Sequence, residues 1–421
     1  MKTHPPCTPS LFHTGTAPAL FPVGSLCRGV KSAGRSALFA SAVCAIVLLA
    51  APSAYTQVDR DAIEVQNARA RFLEGRRKIH PNQYSHKFDL SGLPDYQPEA
   101  KITGPIRIWG LNYITDSNLS AYWEAGFKRY QPDAKLDWHT PTALVAIPGL
   151  ITGQADIGAD RPITYDELLT FTRVFGHGPL EIPMATGSYN VQGWAPELAI
   201  FVNKDNPISK LTIAQLDGIF GAERDGGFVG LEWHPEFARG PEKNIRTWGQ
   251  LGLTGEWKDK PINFYGGGHR RHEQFVLEQK VLHGGTKWNE RMHEYSNYVR
   301  ADGVMVVALT QQVEDLSKDL YGIGYNSMAQ ITPGIKPVAI ATTEAGPYVL
   351  PTLETVHNRT YPLFSQEFFY LNRAPGQPLD PKVKEFVRYV LSRQGQEEVM
   401  LDGRFLPLTP EVVREALEKI K

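Results

Sequence analysis

Cysteine is almost missing from this chain. The three that occur, Cys7, Cys27 and Cys44, all fall within the first 54 of 421 residues. Removal of that segment would leave no disulfide and no thiol chemistry. Neither sign of charge prevails, since the formal net charge is −1. Nothing global therefore points to nucleic acid as a partner. The apolar run near the N-terminus, "ALFASAVCAIVLLAA" from Ala37 to Ala51, is shorter than the roughly 20 residues a membrane span needs. No nucleophile elbow, P-loop or Gly-x-Gly-x-x-Gly fingerprint occurs, so the sequence offers no signature of a serine hydrolase, a nucleotide triphosphatase or a dinucleotide enzyme.

What is present begins with an export layout. Lys2, Arg28, Lys31 and Arg35 are the only Lys, Arg, Asp or Glu residues before Asp59. A basic flank, an apolar stretch and "APSAYTQ" read as a secretory signal over residues 1–54, cleaved near Ser53 or Ala54. Its loss removes four basic groups and leaves 40 Lys and Arg against 45 Asp and Glu, a net −5. The expected location is the periplasm.

Residues 55–103 read as an extension. A helix is expected over 55–80, from Ile63, Val65, Ala68, Phe72 and Leu73, then a Pro-, Tyr- and Gly-punctuated wrap. From "IRIWGLN" onward strands and helices alternate, the pattern of an α/β fold. "DSNLSAYWEAGFKRY" (116–130) is a helix with Asp116 or Ser117 as N-cap. "TYDELLTFTRVF" (164–175) opens with the Thr164/Glu167 capping box. Residues 222–243 read as a loop insertion, and the C-terminal tail as two helices separated by "GRFLPLTP".

The stretch "INFYGGGHRRHEQF" (262–275) carries the clearest question. Three glycines lead into His269, Arg270, Arg271 and His272 at the start of an amphipathic run. Positive side chains at a helix N-terminus oppose its dipole unless an anion arrives. Surface charge alone is the other reading of Arg270 and Arg271. A zinc site is a further one, but the string fits neither His-Glu-x-x-His nor its inverse, so no metal and no cofactor are expected.

Four stretches in this order resemble the periplasmic phosphate-binding proteins of the phosphate ABC transporter, within the wider solute-binding family. They are "ITGQADIGADRPIT" (151–164), "ELAIFVNKDNPISKLTIAQLDGIFGAE" (197–223), residues 262–275, and "YGIGYNSM" with "FVRYVLSRQGQEEVMLDGRFLPL". The resemblance spans roughly 104–421. It implies an α/β, two-lobed periplasmic binding protein fold, type II-like, with two crossover hinge strands. Lobe 1 would take 104–195 and 365–421, and lobe 2 would take 196–364. It also implies a non-enzymatic monomer that captures phosphate or a similar inorganic oxyanion between the lobes and passes it to a membrane ABC transporter permease.

Carried over position by position, the resemblance places Asn112, Thr115 and Ser117 in a first ligand loop and Thr140 and Thr142 in a second. Asp160 and Arg161 fall in a third, and Gly268, His269, Arg270 and Arg271 in a fourth. The fourth departs from the family's Arg-x-x-Gly-Ser-Gly-Thr, with Tyr265 where its arginine falls. Three readings stay open there: Arg270 or Arg271 compensates, the ligand is a different anion, or the site serves another purpose. The rival functions are a secreted metal-dependent hydrolase using His269 and His272, and a non-transport envelope receptor or scaffold.

Overall fold

The computed structural model describes Asn67, Ala68, Arg71 and residues 83–191, 194–267 and 272–421. The expected signal segment lies outside the described residues, as does nearly all of the helix expected over 55–80. Alternating apolar residues make β1 (Gly104–Gly110) a strand whose Ile106 and Ile108 are fully buried, as a period of two requires. It leads through α1 (Leu119–Lys128) to β2 (Ala134–His139), then through α2 (Ala146–Ile151) to β3 (Ile157–Asp160). Next come α3 (Tyr165–Phe175) and β4 (Leu180–Thr186).

β1 lies parallel to both β2 and β3, with Ile108 opposite Trp138 on one side and Ile157 on the other. A return strand, Gln366–Leu371, inserts antiparallel between β3 and β4 and pairs Phe368 with Asp160. The second five-stranded sheet is built around β5 (Ala199–Asn203), β6 (Asn263–Gly267) and β7 (Gly322–Asn326). There Ile323 lies opposite Val202 and Phe264. Each sheet has its own core, one around Trp123, Phe127 and Phe386, the other around Phe220, Trp248 and Phe264.

The chain passes between the sheets twice, and the two crossings are hydrogen-bonded to each other. Gly187 N donates to Ser365 O at 2.9 Å, and Leu198 N to Leu363 O at 2.9 Å. The result is a pair of α/β lobes joined by two crossing strands. Among the described residues no helix is long and apolar enough to cross a membrane.

Local chemistry moves some element ends from where the sequence places them. α1 starts at Leu119 with Asn118 as its N-cap residue. Residues 112–114 form a tight turn that takes up the Thr115 and Asp116 N–H groups through Asn112 O, which leaves Asp116 and Ser117 before the helix. The tail holds three helices, Pro381–Val390, Arg393–Asp402 and Pro410–Lys419. Ser392 divides the first two, because its Oγ accepts from Gly395 N at 3.3 Å and caps a new helix. Residues 222–243 contain a small hairpin, Gly227–Val229 paired with Glu232–His234. Residues 83–103 form neither helix nor strand, yet bury Leu90, Leu93, Tyr96 and Ile102 against the first core.

One close approach within that core makes a testable electrostatic site. Gly126 on α1 lies against the Glu398 carboxyl and the Tyr389 hydroxyl, so close that a Cβ would come within 1.9 Å of each. Glu398 accepts from Tyr389 OH at 2.8 Å, and burial pushes it up to about 7 against the pull of that bond and of Arg129. The folded chain thus holds a proton between about 4.5 and 7 that the unfolded chain releases. This contribution to stability is complete below about 4.5 and is lost as pH rises through 7. Relative to wild type, Glu398→Gln should gain on the order of 2 kcal/mol between pH 5 and pH 8. Denaturant titrations at those two pH values measure it; parallel pH profiles for both proteins would contradict the assignment.

Candidate functional site

A cleft of about 1790 Å³ opens between the lobes. Its lobe 1 wall includes Asn112, Thr142 and Arg161, and its other wall includes Arg224, Phe228, His272, Phe275 and Lys280. The lobes touch across it. The Arg161 guanidinium lies 4.8 Å from the centre of the Phe275 ring. Gln279 Nε2 donates to Ile163 O at 3.2 Å, and the Tyr165 and Phe228 rings are 4.8 Å apart.

The Asp160–Arg161 turn is the most elaborated part of the wall. β3 ends at Asp160, whose side chain is fully buried beneath the cleft surface. Its Oδ1 accepts from Arg161 N at 2.7 Å, and its Oδ2 has no hydrogen-bond partner. Burial, with Glu167 nearby, raises Asp160 well above the usual carboxylate range, opposed by Arg161. Arg161 points its two terminal nitrogens at Glu167, at 3.1 and 3.2 Å. Such a forked pair is strong and directional. Glu167 also closes the α3 capping box, accepting from Thr164 N at 2.9 Å. Burial would raise Glu167, but the Arg161 and Thr164 bonds bring it below its ordinary value.

The start of α5 (His272–Lys280) is tied to both crossing strands. His272 Nε2 lies 2.9 Å from Ser365 Oγ and 3.2 Å from Pro196 O. Burial holds this imidazole below its normal value, so it is neutral at pH 7. At the other end of α5, Lys280 donates to Pro362 O at 3.0 Å and to Phe364 O at 2.6 Å. Burial and Arg359 bring its ammonium down to about 7.

Of the residues singled out in the sequence, the cleft brings together Asn112, Thr142 and Arg161. Asp160 sits directly behind Arg161. Thr115 and Thr140 share a hydroxyl hydrogen bond at 2.7 Å and do not line the cleft. Ser117 faces its own turn, donating to Ile114 O at 3.2 Å. Asn112 Nδ2 donates to Asp116 at 2.5 Å. Gly268, His269, Arg270 and Arg271 lie outside the described residues. Sequence reasoning gave Glu167 only its role in the capping box and passed over Phe275, Lys280 and Glu367 as site residues. Only Glu367 carries a visible signal, an acid inside the strand "QEFFYL" whose other residues are mostly apolar.

Two α/β lobes, two hydrogen-bonded crossings and a deep cleft between them define a two-lobed binding protein. A family profile described as "PBP superfamily domain" matches residues 113–394. The phosphate-binding protein PstS of Pseudomonas aeruginosa is 31% identical over 329 residues, covering 78% of this chain and 90% of that protein. The protein SphX of Synechococcus elongatus is 24% identical over 275 residues, 64% of this chain and 68% of that one. A crystal structure of PstS from Borrelia burgdorferi aligns with 72% of this chain and 99% of its own, at 19% identity and a TM-score of 0.46. The chain belongs to the PBP superfamily, in the family of the phosphate-binding protein PstS.

Proposed function

We propose that this protein is an exported, monomeric, non-enzymatic receptor that captures phosphate or a similar inorganic oxyanion in its inter-lobe cleft and delivers it to an ABC transporter permease. The observation that carries the reading is the 31% identity to a phosphate-binding protein over 90% of that relative's length, taken with a cleft lined by Arg161, whose neighbour Asp160 is buried beneath it. Export rests on the signal layout of residues 1–54.

Electrostatics narrow where the anion's charge is met. Arg161 is paired with Glu167 at 3.1 Å and lies 3.5 Å from the buried Asp160 carboxyl, and burial raises both Asp160 and Glu367 well above the ordinary carboxylate range. The described lobe 1 wall therefore offers hydrogen bonds rather than net positive charge. An oxyanion stripped of water needs both. The start of α5 supplies backbone donors and a dipole of the right sign. Arg270 and Arg271, just before His272 in the chain, supply permanent charge. Asn112 and Thr142, on the lobe 1 wall, complete the proposed site, together with Gly268 and His269.

The test is a thermal-shift panel of phosphate, arsenate, sulfate, molybdate and phosphonates on the purified protein. A ligand at 100 times its Kd should add about 2.7 kcal/mol of stability. Phosphate or arsenate should shift the melting temperature and sulfate should not. A flat response to every oxyanion would refute the reading.

A further inference from the structure

The insertion over residues 222–243 has no part in the oxyanion reading. Its hairpin pairs Phe228 with Trp233, and its root is fixed to lobe 2. Phe228 N donates to His283 O at 3.0 Å, and the Phe237 and His283 rings stack with their centres 4.2 Å apart. Arg224, just ahead of the hairpin, is bonded through both terminal nitrogens to Asp217 in the helix Ile213–Phe220. The other side of the hairpin meets lobe 1. The Phe228 ring lies 4.8 Å from that of Tyr165, the first residue of α3. At the hairpin turn, a Cβ on Gly230 would stand 3.6 Å from Leu168 Cδ2, also on α3.

Position makes this contact a fastening rather than part of a core. Tyr165 is 39% and Trp233 51% exposed, whereas Ser365 and Glu367, where the second crossing enters lobe 1, are 2% and 0% exposed. All four line the cleft, so the aromatic pair marks its solvent-facing rim. Neither Tyr165 nor Phe228 belongs to the apolar core of its lobe. The hairpin nevertheless holds Phe228 firmly. Trp233 meets it edge-on at 5.0 Å, and lies so close to Gly226 that a Cβ there would collide with the indole. A ring on such a base gives up little freedom when it docks.

We propose that the insertion hairpin is a latch: Phe228 seats on Tyr165 across the rim of the cleft, and breaking that contact sets the rate at which the captured ligand leaves. The choice of phosphate as that ligand rests on the oxyanion reading above. The lobes cannot part without separating the two rings, so their attraction favours the closed arrangement alone. The contact is ring against ring, and its strength does not depend on the charge or proton of the anion. It therefore lengthens residence by the same factor for every ligand and leaves selectivity to the rest of the cleft. An aromatic pair of this kind changes such an equilibrium about three- to tenfold.

The experiment follows exchange of bound radiolabelled phosphate against excess unlabelled phosphate. It compares the purified full chain with F228A, Y165A, Y165F and the double variant F228A/Y165A. Each single alanine variant should release phosphate about three to ten times faster than wild type. The double variant should be no faster than the singles, because one contact is lost only once. Y165F keeps the ring and should stay within about twofold of wild type. Ligand-free melting of the alanine variants should stay within about 2 °C of wild type, since both rings lie outside the cores. Release at the wild-type rate from either alanine variant, or effects that multiply in the double variant, would overturn the latch. A larger drop in melting temperature in both alanine variants would make the rings part of the fold and overturn it too. If wild type binds no phosphate, the oxyanion reading fails, and small-angle X-ray scattering decides the latch by itself. Ligand-free F228A should then have a larger radius of gyration than wild type, and an unchanged radius overturns the proposal.

Discussion

Asp217→Ala should destabilise the protein by about 3–5 kcal/mol, the range for breaking a buried ion pair by removing one partner. Asp217 lies on α4 (Ile213–Phe220), 4% exposed as a residue, and is the shared counter-ion of two buried arginines. Arg224 grips both of its oxygens, Nη1 to Oδ1 and Nη2 to Oδ2, each at 2.6 Å. Arg239 Nε lies 3.4 Å from Oδ1. The arginines in turn hold the insertion together. Arg224 Nε donates to Phe237 O at 2.9 Å, and Arg239 donates to Ala222 O and to Asn244 Oδ1, both at 2.7 Å. Removing the carboxylate leaves two guanidinium charges in a poorly solvated place. Urea titration should show a lower midpoint. The triple replacement Asp217→Leu, Arg224→Met, Arg239→Leu should recover much of the loss, because it removes the charges as well as the bonds. Because Arg224 and Phe228 line the cleft, the single variant should also weaken ligand capture. A single variant within about 0.5 kcal/mol of wild type would mean that solvent reaches this cluster freely.

The same cluster marks the limit of what the chain reveals on its own. Thr164 and Glu167 could be read as a cap from their spacing, because both bonds close within one turn, and the helix they start is Tyr165–Phe175. The second role of Glu167, holding Arg161, depends on how the Asp160–Pro162 turn folds back, and no periodicity encodes that. The same holds for Asp217 and Arg224: seven residues apart, they stand on either side of the helix end at Phe220, and no helical period pairs them across it. The strands were legible where apolar residues alternate, as in Gly104–Gly110. Where a single polar side chain sets a boundary, as Ser392 does between the C-terminal helices, the pattern runs straight through it. In the site, Asn112, Thr142 and Arg161 share the cleft wall, while Thr115 and Thr140 satisfy each other. A hydroxyl's partner is a matter of a few ångströms, and loop spacing does not resolve that.

Gly110→Ala should show how tightly the ligand turn depends on the strand beneath it. Gly110 ends β1 at φ 136°, a backbone region that side chains avoid. Its position faces the last turn of β3: an added Cβ would stand 1.9 Å from Ala159 O and 3.0 Å from the Ala146 Cβ. The obstacle at 1.9 Å is backbone, so no rotamer change relieves it. Forcing a side chain into this conformation costs about 1–3 kcal/mol, and overpacking adds about 1–3 kcal/mol, so a loss near 4 kcal/mol is expected. The strain has a defined direction. Leu111 N donates to Ala159 O at 2.8 Å, and that bond joins the loop carrying Asn112 to the strand end carrying Asp160. Pushing Ala159 away from β1 must displace Asn112, the Asp160–Arg161 turn or both. Affinity for the captured oxyanion should therefore fall together with the melting temperature, and by more than a remote variant of equal instability causes. Gly153→Ala is the control for the backbone strain alone: it also has positive φ, but a Cβ there would meet nothing within 4 Å. If Gly110→Ala lost stability while binding phosphate as tightly as Gly153→Ala does, the strand end and the ligand turn would be mechanically independent.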